Sequence, residues 1–258
     1  MDIRIAAVIP ARMASSRFPG KPLLPVRGLP MVEHVRRRAL LCRRFSDVVV
    51  ATCDPQIAEA VTGYGGRCLM TSPAHPGATD RVAEAMQQVE CTHVMNVQGD
   101  EILVLPEDLE RMVRAIEAEP DVPAWNAVAP LESDAELGDR SIVKCAVSVS
   151  GRIMFCARDF TSLVASSGSN HLPIRKLLGL TAYRRDWLAG YRSLPRTPIE
   201  QAGSMDQSRI IEHDVLLRGI ELVRGYPGIN EPREVPAVEA LLAEDPAQRT
   251  MLETILRS

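Results

Sequence analysis

Arg12, Arg17 and Lys21 fall within one short stretch, Pro10-Ala11-Arg12-Met13-Ala14-Ser15-Ser16-Arg17-Phe18-Pro19-Gly20-Lys21-Pro22. Small residues between them let backbone N–H groups approach phosphate oxygens, while two guanidinium forks and one compact ammonium supply the charge. The stretch contains neither G-x-x-x-x-G-K-[ST] nor G-x-G-x-x-G, so it is not a P-loop or a dinucleotide fingerprint. The competing reading is a surface loop that its arginines keep soluble. Downstream, Gln98-Gly99-Asp100-Glu101 sets two adjacent acids after the apolar run Thr92–Val97. Carboxylates at such a point are costly to bury unless a cation is there to meet them. A third cluster, Thr79-Asp80-Arg81, reads locally as a helix start, with Thr79 as N-cap and Asp80 as a first-turn acid.

These clusters need elements to hold them. The first half alternates β-branched runs with helical patterns: Ile5–Ile9, Met31–Leu41, Val48–Ala51, Gln56–Tyr64, Cys68–Thr71, Arg81–Val89, Thr92–Val97 and Glu107–Ala118. Such alternation predicts an α/β fold, a doubly wound and mostly parallel sheet that offers its ligand the carboxyl ends of the strands. The cation stretch follows Ile5–Ile9 and the acidic pair follows Thr92–Val97, so both fall at that end. From about Trp125 the rhythm changes. Ile142–Val149 and Arg152–Cys156 flank Ser150-Gly151 and predict an antiparallel hairpin, the start of a small β-rich lobe. Thr161–Asn170 reads as a Ser/Gly-rich loop, Leu177–Tyr183 as a strand, and Ile210–Leu217 and Val235–Ala243 as helices. The expected organisation is one domain in three parts: residues 1–124 the parallel α/β part, 125–200 a β-rich lobe, and 201–258 a helical part returning to the core.

Composition narrows the classes. With 46% hydrophobic and 24% charged residues the 258-residue chain has ordinary globular usage and enough length for a substantial core. A formal charge of −3 argues against broad nucleic-acid binding, so any positive site is local and sized for a small anion. No segment approaches the apolar length of a bilayer span, and the start lacks a signal-peptide pattern, so the expectation is a cytoplasmic protein. Six scattered cysteines with no C-x-x-C pair read as reduced core thiols. His75, His93, His171 and His213 have no spacing that marks a site, His34 reads as structural, and Trp125 and Trp187 read as core or interface aromatics.

The segment from Ile9 to Leu23 resembles the signature loop of the CMP-Kdo synthetase family, the 3-deoxy-manno-octulosonate cytidylyltransferases. Gly28–Val35, Val49–Thr52, Met70–Glu84 and Asn96–Glu101 resemble further blocks of that family in the same order. The resemblance implies a reaction in which CMP passes from CTP to a small acidic acceptor and pyrophosphate leaves. It implies nucleotide contacts from Ala11, Arg12, Arg17, Lys21, Thr79, Asp80 and Arg81, with Arg12, Lys21 and Asp100 as the catalytic set. It assigns acceptor contacts to Gln98, Tyr183 and Gln207, Mg2+ to Asp100 and Asn230, and the working form to a homodimer. The second half departs from the family pattern. Leu177 and Thr181 stand where the family has a His and a Tyr beside the sugar acid, and Asn230 stands where it has a metal-binding aspartate, with Glu231 next in line. An amino-Kdo, another keto-sugar acid or a phosphonate is therefore an alternative acceptor. A CTP-binding protein without turnover and a dinucleotide-dependent oxidoreductase are the rival classes, the latter disfavoured by the missing glycine fingerprint.

Overall fold

The computed structural model describes residues 2–15, 17–164 and 174–257. The chain forms two compact units, Met1–Arg114 with Tyr226–Ser258, and Ala115–Gly225. In the first unit, β1 (Ile5–Ala11) leads through the short hairpin β2 (Pro25–Val26) and β3 (Leu29–Pro30) to α1 (Met31–Leu41). There follow β4 (Phe45–Thr52), α2 (Pro55–Gly63), β5 (Arg67–Met70), α3 (Ala78–Ala85), β6 (His93–Val97) and α4 (Pro106–Ala118), within which the unit boundary falls.

Strands β6, β1, β4 and β5 pair in that order, all parallel. Every residue of β1 and β6 is buried, as expected of strands covered on both faces. Parallel pairing with intervening helices is the doubly wound arrangement that the alternation predicted, and all four strands end at the edge where the cation loop, the 71–81 loop and the acidic turn begin.

The second unit is antiparallel in most of its pairings. It contains β7 (Ala124–Ala129), β8 (Lys144–Val147), β9 (Ile153–Ala157), α5 (Thr161–Val164), β10 (Ile174–Arg184), α6 (Arg185–Tyr191), α7 (Pro198–Gly203), α8 (Asp206–Glu212) and β11 (Leu217–Glu221). β7 lies between antiparallel β10 and parallel β11, while β8 joins β10 to β9. The predicted hairpin is present as β8 and β9, with Gly151 at φ 81 supplying the left-handed turn. The chain then contributes α9 (Val235–Glu244) and α10 (Pro246–Arg257) to the first unit.

Three local expectations change. Helix α3 starts at Ala78 with Gly77 as its N-cap, so Thr79 is not a cap but a buried residue of the first turn. The single helix expected over Ile210–Leu217 is the end of α8 followed by β11, because the chain turns through Asp214 at φ 57, a left-handed conformation that stops a helix. Of the Ser/Gly-rich loop expected over Thr161–Asn170, the first four residues form α5 and residues 165–170 lie outside the described residues.

One apolar cluster of the first unit bears directly on the acidic turn. Val26, Met31, Ile102, Leu103, Ile229, Val238 and Leu242 are all buried together. Ile102 and Leu103 follow Asp100 closely, and Ile229 precedes Asn230, so the packing that secures α9 also secures both flanks of the polar cluster. His34 of α1 is buried beside them and donates from Nε2 to the Val26 carbonyl at 2.7 Å. Trp125 is fully buried in β7.

Candidate active site

The cation loop begins where β1 ends, at Ala11. Met13 N–H donates to Asp54 Oδ2 at 2.8 Å, and the Met13 carbonyl accepts from both Ser15 and Gly20 N–H groups at 2.9 Å. Asp54 precedes α2 yet makes no side-chain cap there, so its carboxylate serves to tie the loop down. Gly20 adopts φ 77, a conformation glycine takes without strain, and turns the chain into the short 3-10 segment Lys21–Leu23.

That turn directs Lys21 inward. Its Nζ donates to Asp100 Oδ2 at 2.7 Å and to the Ile229 carbonyl at 3.0 Å. Arg17 Nη2 donates to Asn230 Oδ1 at 3.0 Å, and Ile229 N–H donates to the Asp100 carbonyl at 3.3 Å. The backbones approach so closely because two positions lack side chains. A Cβ on Gly99 would stand 2.9 Å from the Pro10 carbonyl, and one on Gly228 would stand 2.7 Å from the Asp100 carbonyl. Residues far apart in sequence thus converge: the Arg17–Lys21 loop, the Gln98–Glu101 turn and the Gly228–Asn230 segment. Arg12 is exposed, and among the described residues it has no hydrogen-bond or ion-pair partner. Gln98 is half-buried just beyond β6.

Thr79, Asp80 and Arg81 are all buried in the first turn of α3. Arg81 donates to Thr71 Oγ1 and, at 3.5 Å, to Cys53 Sγ, while Thr71 N–H donates to the Thr52 carbonyl at 2.8 Å. This places the guanidinium at the carboxyl ends of β4 and β5. The loop between β5 and α3 is braced by His75, paired with Glu84, whose Oε2 also accepts from Ser72 N–H at 3.0 Å. His75 therefore has a structural part that its spacing did not reveal.

Among the described residues no three His, Cys, Asp or Glu side chains gather where a metal could sit. The donor set around Asp100 is one carboxylate with the neutral oxygens of Ile229 and Asn230 nearby, already matched to cations in Lys21 and Arg17. Mg2+ favours one or two carboxylates completed by substrate phosphates over a full protein cage, so these residues fit it as a metal that arrives with a triphosphate. Glu231 is occupied elsewhere, since its side chain caps the turn Pro232–Glu234 and pairs with Arg233 at 2.9 Å.

In the second unit Tyr183 is buried and stacks on Trp187 with ring centroids 5.8 Å apart. Gln207, on α8, donates from Nε2 to Asn126 Oδ1 at 3.0 Å, and Asn126 also receives Thr181 Oγ1 at 3.0 Å.

Residues 6–220 match the family model described as cytidylyltransferase. The chain is 36% identical over 241 residues to the 3-deoxy-manno-octulosonate cytidylyltransferase of Escherichia coli, covering 93% of this chain and 97% of that one. It is 39% identical to the enzyme of the same name from Myxococcus xanthus, covering 93% and 96%. The chain belongs to the 3-deoxy-manno-octulosonate cytidylyltransferase family. A solved structure of CMP:2-keto-3-deoxy-manno-octonic acid synthetase complexed with CTP superposes with a TM-score of 0.87 at 36% identity, over 94% of this chain and 99% of that chain. The fold is therefore the Rossmann-like α/β fold of these nucleotidyltransferases.

Within this cytidylyltransferase fold, the structure brings Arg17, Lys21, Asp100 and Asn230 into one cluster and sets Thr79, Asp80 and Arg81 together at the ends of β4 and β5. Sequence reasoning did not find Asp54, Thr71 or Asn126. Asp54-Pro55 carried a helix-start signal, but a cap and a loop anchor look alike in sequence. Nothing local marked Thr71 or Asn126, whose partners are remote in sequence.

Proposed function

We propose that this chain transfers CMP from CTP to 3-deoxy-manno-octulosonate or a closely related keto-sugar acid and releases pyrophosphate. The observation that carries the reading is the convergence of Arg17, Lys21, Asp100 and Asn230 beyond the strand ends. A triphosphate entering there meets cations on flexible stems, and Lys21 exchanges the Asp100 carboxylate for phosphate oxygens. Arg12, exposed at the start of the loop, is the other cation that would hold the leaving pyrophosphate, together with Ala11 N–H and Arg17. Asp100 is the residue that would hold a Mg2+ ion accompanying the nucleotide, with the Asn230 amide oxygen as a neutral second donor. When bound, Mg2+ would neutralise phosphate charge and help align the α-phosphorus for in-line attack by an acceptor oxygen.

The protein's own contribution is orientation and charge, the larger part of catalysis in phosphoryl and nucleotidyl transfer. Thr79, Asp80 and Arg81 are assigned to the nucleoside; Gln98 and, in the second unit, Tyr183 and Gln207 are assigned to the acceptor. Leu177 and Thr181 favour a second reading of the acceptor, an amino-Kdo or a phosphonate, because they remove an imidazole and a phenol from its surroundings.

The working form is a homodimer. Its support is the set of exposed large apolar side chains in the second unit, Val149, Met154 and Phe155 on the β8–β9 hairpin and Leu163 on α5. The place of work is the cytoplasm, in keeping with six free thiols and with no described helix long and apolar enough to cross a membrane.

Pyrophosphate release with CTP, Mg2+ and a panel of keto-sugar acids and phosphonates tests the reading, with calorimetry against the four nucleoside triphosphates beside it. Release with 3-deoxy-manno-octulosonate and selective CTP binding are expected. Release only with a phosphonate moves the assignment to the second reading, and equal affinity for ATP removes the cytidylyl assignment.

A further inference from the structure

Asn126 lies in β7 directly opposite Thr181 of β10. The pairing of these strands is irregular: Leu177 faces Val128 and Thr181 faces Asn126, so four residues of β10 advance against two of β7. Extra residues in one strand leave backbone groups without ladder partners. Asn126 meets one of them. Its Nδ2 donates to the Leu178 carbonyl inside the irregular stretch at 2.8 Å and to the Ala127 carbonyl at 2.8 Å.

With both amide hydrogens placed, the orientation of Asn126 is determined and Oδ1 must be the receiving end. Oδ1 accepts from Thr181 Oγ1 and Gln207 Nε2, each at 3.0 Å, and Gln207 Nε2 also lies 3.5 Å from Thr181 Oγ1. All three side chains are buried. The consequence falls on Gln207. A reversed amide would set two lone-pair oxygens against each other, so Gln207 is held with its nitrogen on Asn126 and its Oε1 on the opposite side. Among the described residues that oxygen has no hydrogen-bond partner, and it is not one of the enclosed, unsatisfied atoms.

We infer that Asn126 is a positioning residue for acceptor recognition: it locks the irregular turn of β10 and orients Gln207 so that a carbonyl oxygen is presented to a hydroxyl or ammonium group of the acceptor. This rests on the proposed assignment of Gln207 to the acceptor. A carbonyl oxygen accepts but cannot donate, so the matching group is a sugar hydroxyl or an amine, and the acceptor's carboxylate is bound elsewhere. Asn126 and Thr181 form one device, since a threonine donor suits the amide oxygen that it faces.

The test is steady-state kinetics of the full chain in a double-mutant cycle over Asn126→Leu and Gln207→Ala, with KM for 3-deoxy-manno-octulosonate, KM for CTP and kcat measured separately. Asn126→Leu is expected to raise the acceptor KM about tenfold, the loss of roughly one well-made hydrogen bond, and to leave the CTP KM within about twofold. The double variant should be no worse for the acceptor than Gln207→Ala, because Asn126 acts through Gln207. Additive effects, or equal rises in both KM values, overturn the inference while leaving Gln207 as an acceptor contact. An unchanged acceptor KM in Gln207→Ala overturns the assignment of Gln207 and the inference with it. If Asn126→Leu does not fold, Thr181→Val takes its place in the cycle, with a rise of about threefold expected and the same additivity criterion. An acceptor analogue lacking the matched hydroxyl should show the same KM in wild type and Gln207→Ala.

Discussion

Lys21 Nζ lies 2.7 Å from Asp100 Oδ2, and both side chains are mostly but not wholly enclosed, at 14% and 20% exposure. The pair joins the loop after β1 to the turn after β6, and in the proposed reaction each partner would leave the other when a triphosphate and its metal bind. A pair still reached by water is worth little to stability, so its position beyond the strand ends is the more telling property.

Lys21→Ala and Arg12→Ala are expected to lower kcat/KM for CTP by about ten- to a hundredfold each, the loss of one charge-assisted phosphate contact of roughly 1.5–3 kcal/mol. The thermal midpoint should barely move, because neither side chain belongs to the apolar core. Rates of pyrophosphate release and a melting curve measure both quantities. Full activity in either variant would return the loop to a solvated surface role.

Asp100→Asn is expected to abolish turnover, since hard Mg2+ is held poorly by neutral oxygens alone. Asn230→Asp is expected to lower the Mg2+ concentration for half-maximal rate by supplying a second charge. Arg17 donates to Asn230 at 3.0 Å and will compete for that charge, so the shift should grow when Arg17→Ala is added. Glu231→Gln should leave the Mg2+ requirement unchanged, its carboxylate being engaged with Arg233 and its own turn. A Mg2+ titration of initial rate across the four variants decides among them, and a sharp rise with Glu231→Gln would move the metal role to that residue.

Gly228→Ala is expected to destabilise the protein by about 1–3 kcal/mol, the range for forcing extra volume into a packed site. The added methyl would stand 2.7 Å from the Asp100 carbonyl, where backbone leaves no room to yield. Because the displaced backbone carries the proposed metal ligand, the Mg2+ requirement should rise as well. Chemical denaturation and the Mg2+ titration read the two effects, and a variant as stable and as active as wild type would contradict the close approach.

His34 predicts an acid limb of stability. Burial pushes its imidazole down from 6.5 to about 4, against the Val26 carbonyl, which pulls it up, and the nearby positive charges of Arg38 and Arg37 add to the depression. Between those values the unfolded chain binds the proton and the folded chain does not, so stability falls as pH drops from about 6.5 to about 4. The full contribution is roughly 3 kcal/mol at 1.36 kcal/mol per unit. His34→Gln, which can still donate to the Val26 carbonyl, should flatten that limb. Denaturation midpoints from pH 4 to 8 in both proteins measure it, and parallel curves would exclude His34 as the cause.

The sequence by itself determined the parallel α/β architecture of the first unit, because strands buried on both faces must be continuously apolar and the helices between them carry their own period. It also marked the short stretches proposed to carry the chemistry, since Arg12, Arg17 and Lys21 stand together in the chain and Asp100 follows a buried strand. Element ends were less legible: Gly77 rather than Thr79 caps α3, and Asp214 stops α8 before Leu217, both settled by backbone angles that residue type alone does not fix. Only the tertiary structure decided that Lys21 meets Asp100 and the Ile229 carbonyl, that Asp54 anchors Met13, and that Asn126 orients Gln207. The physical reason is that local propensity and periodicity are written in neighbouring residues. A hydrogen bond between Asn126 and Gln207 depends instead on which strand pairs with which and on a shift of register within β10, and those follow from packing the whole unit.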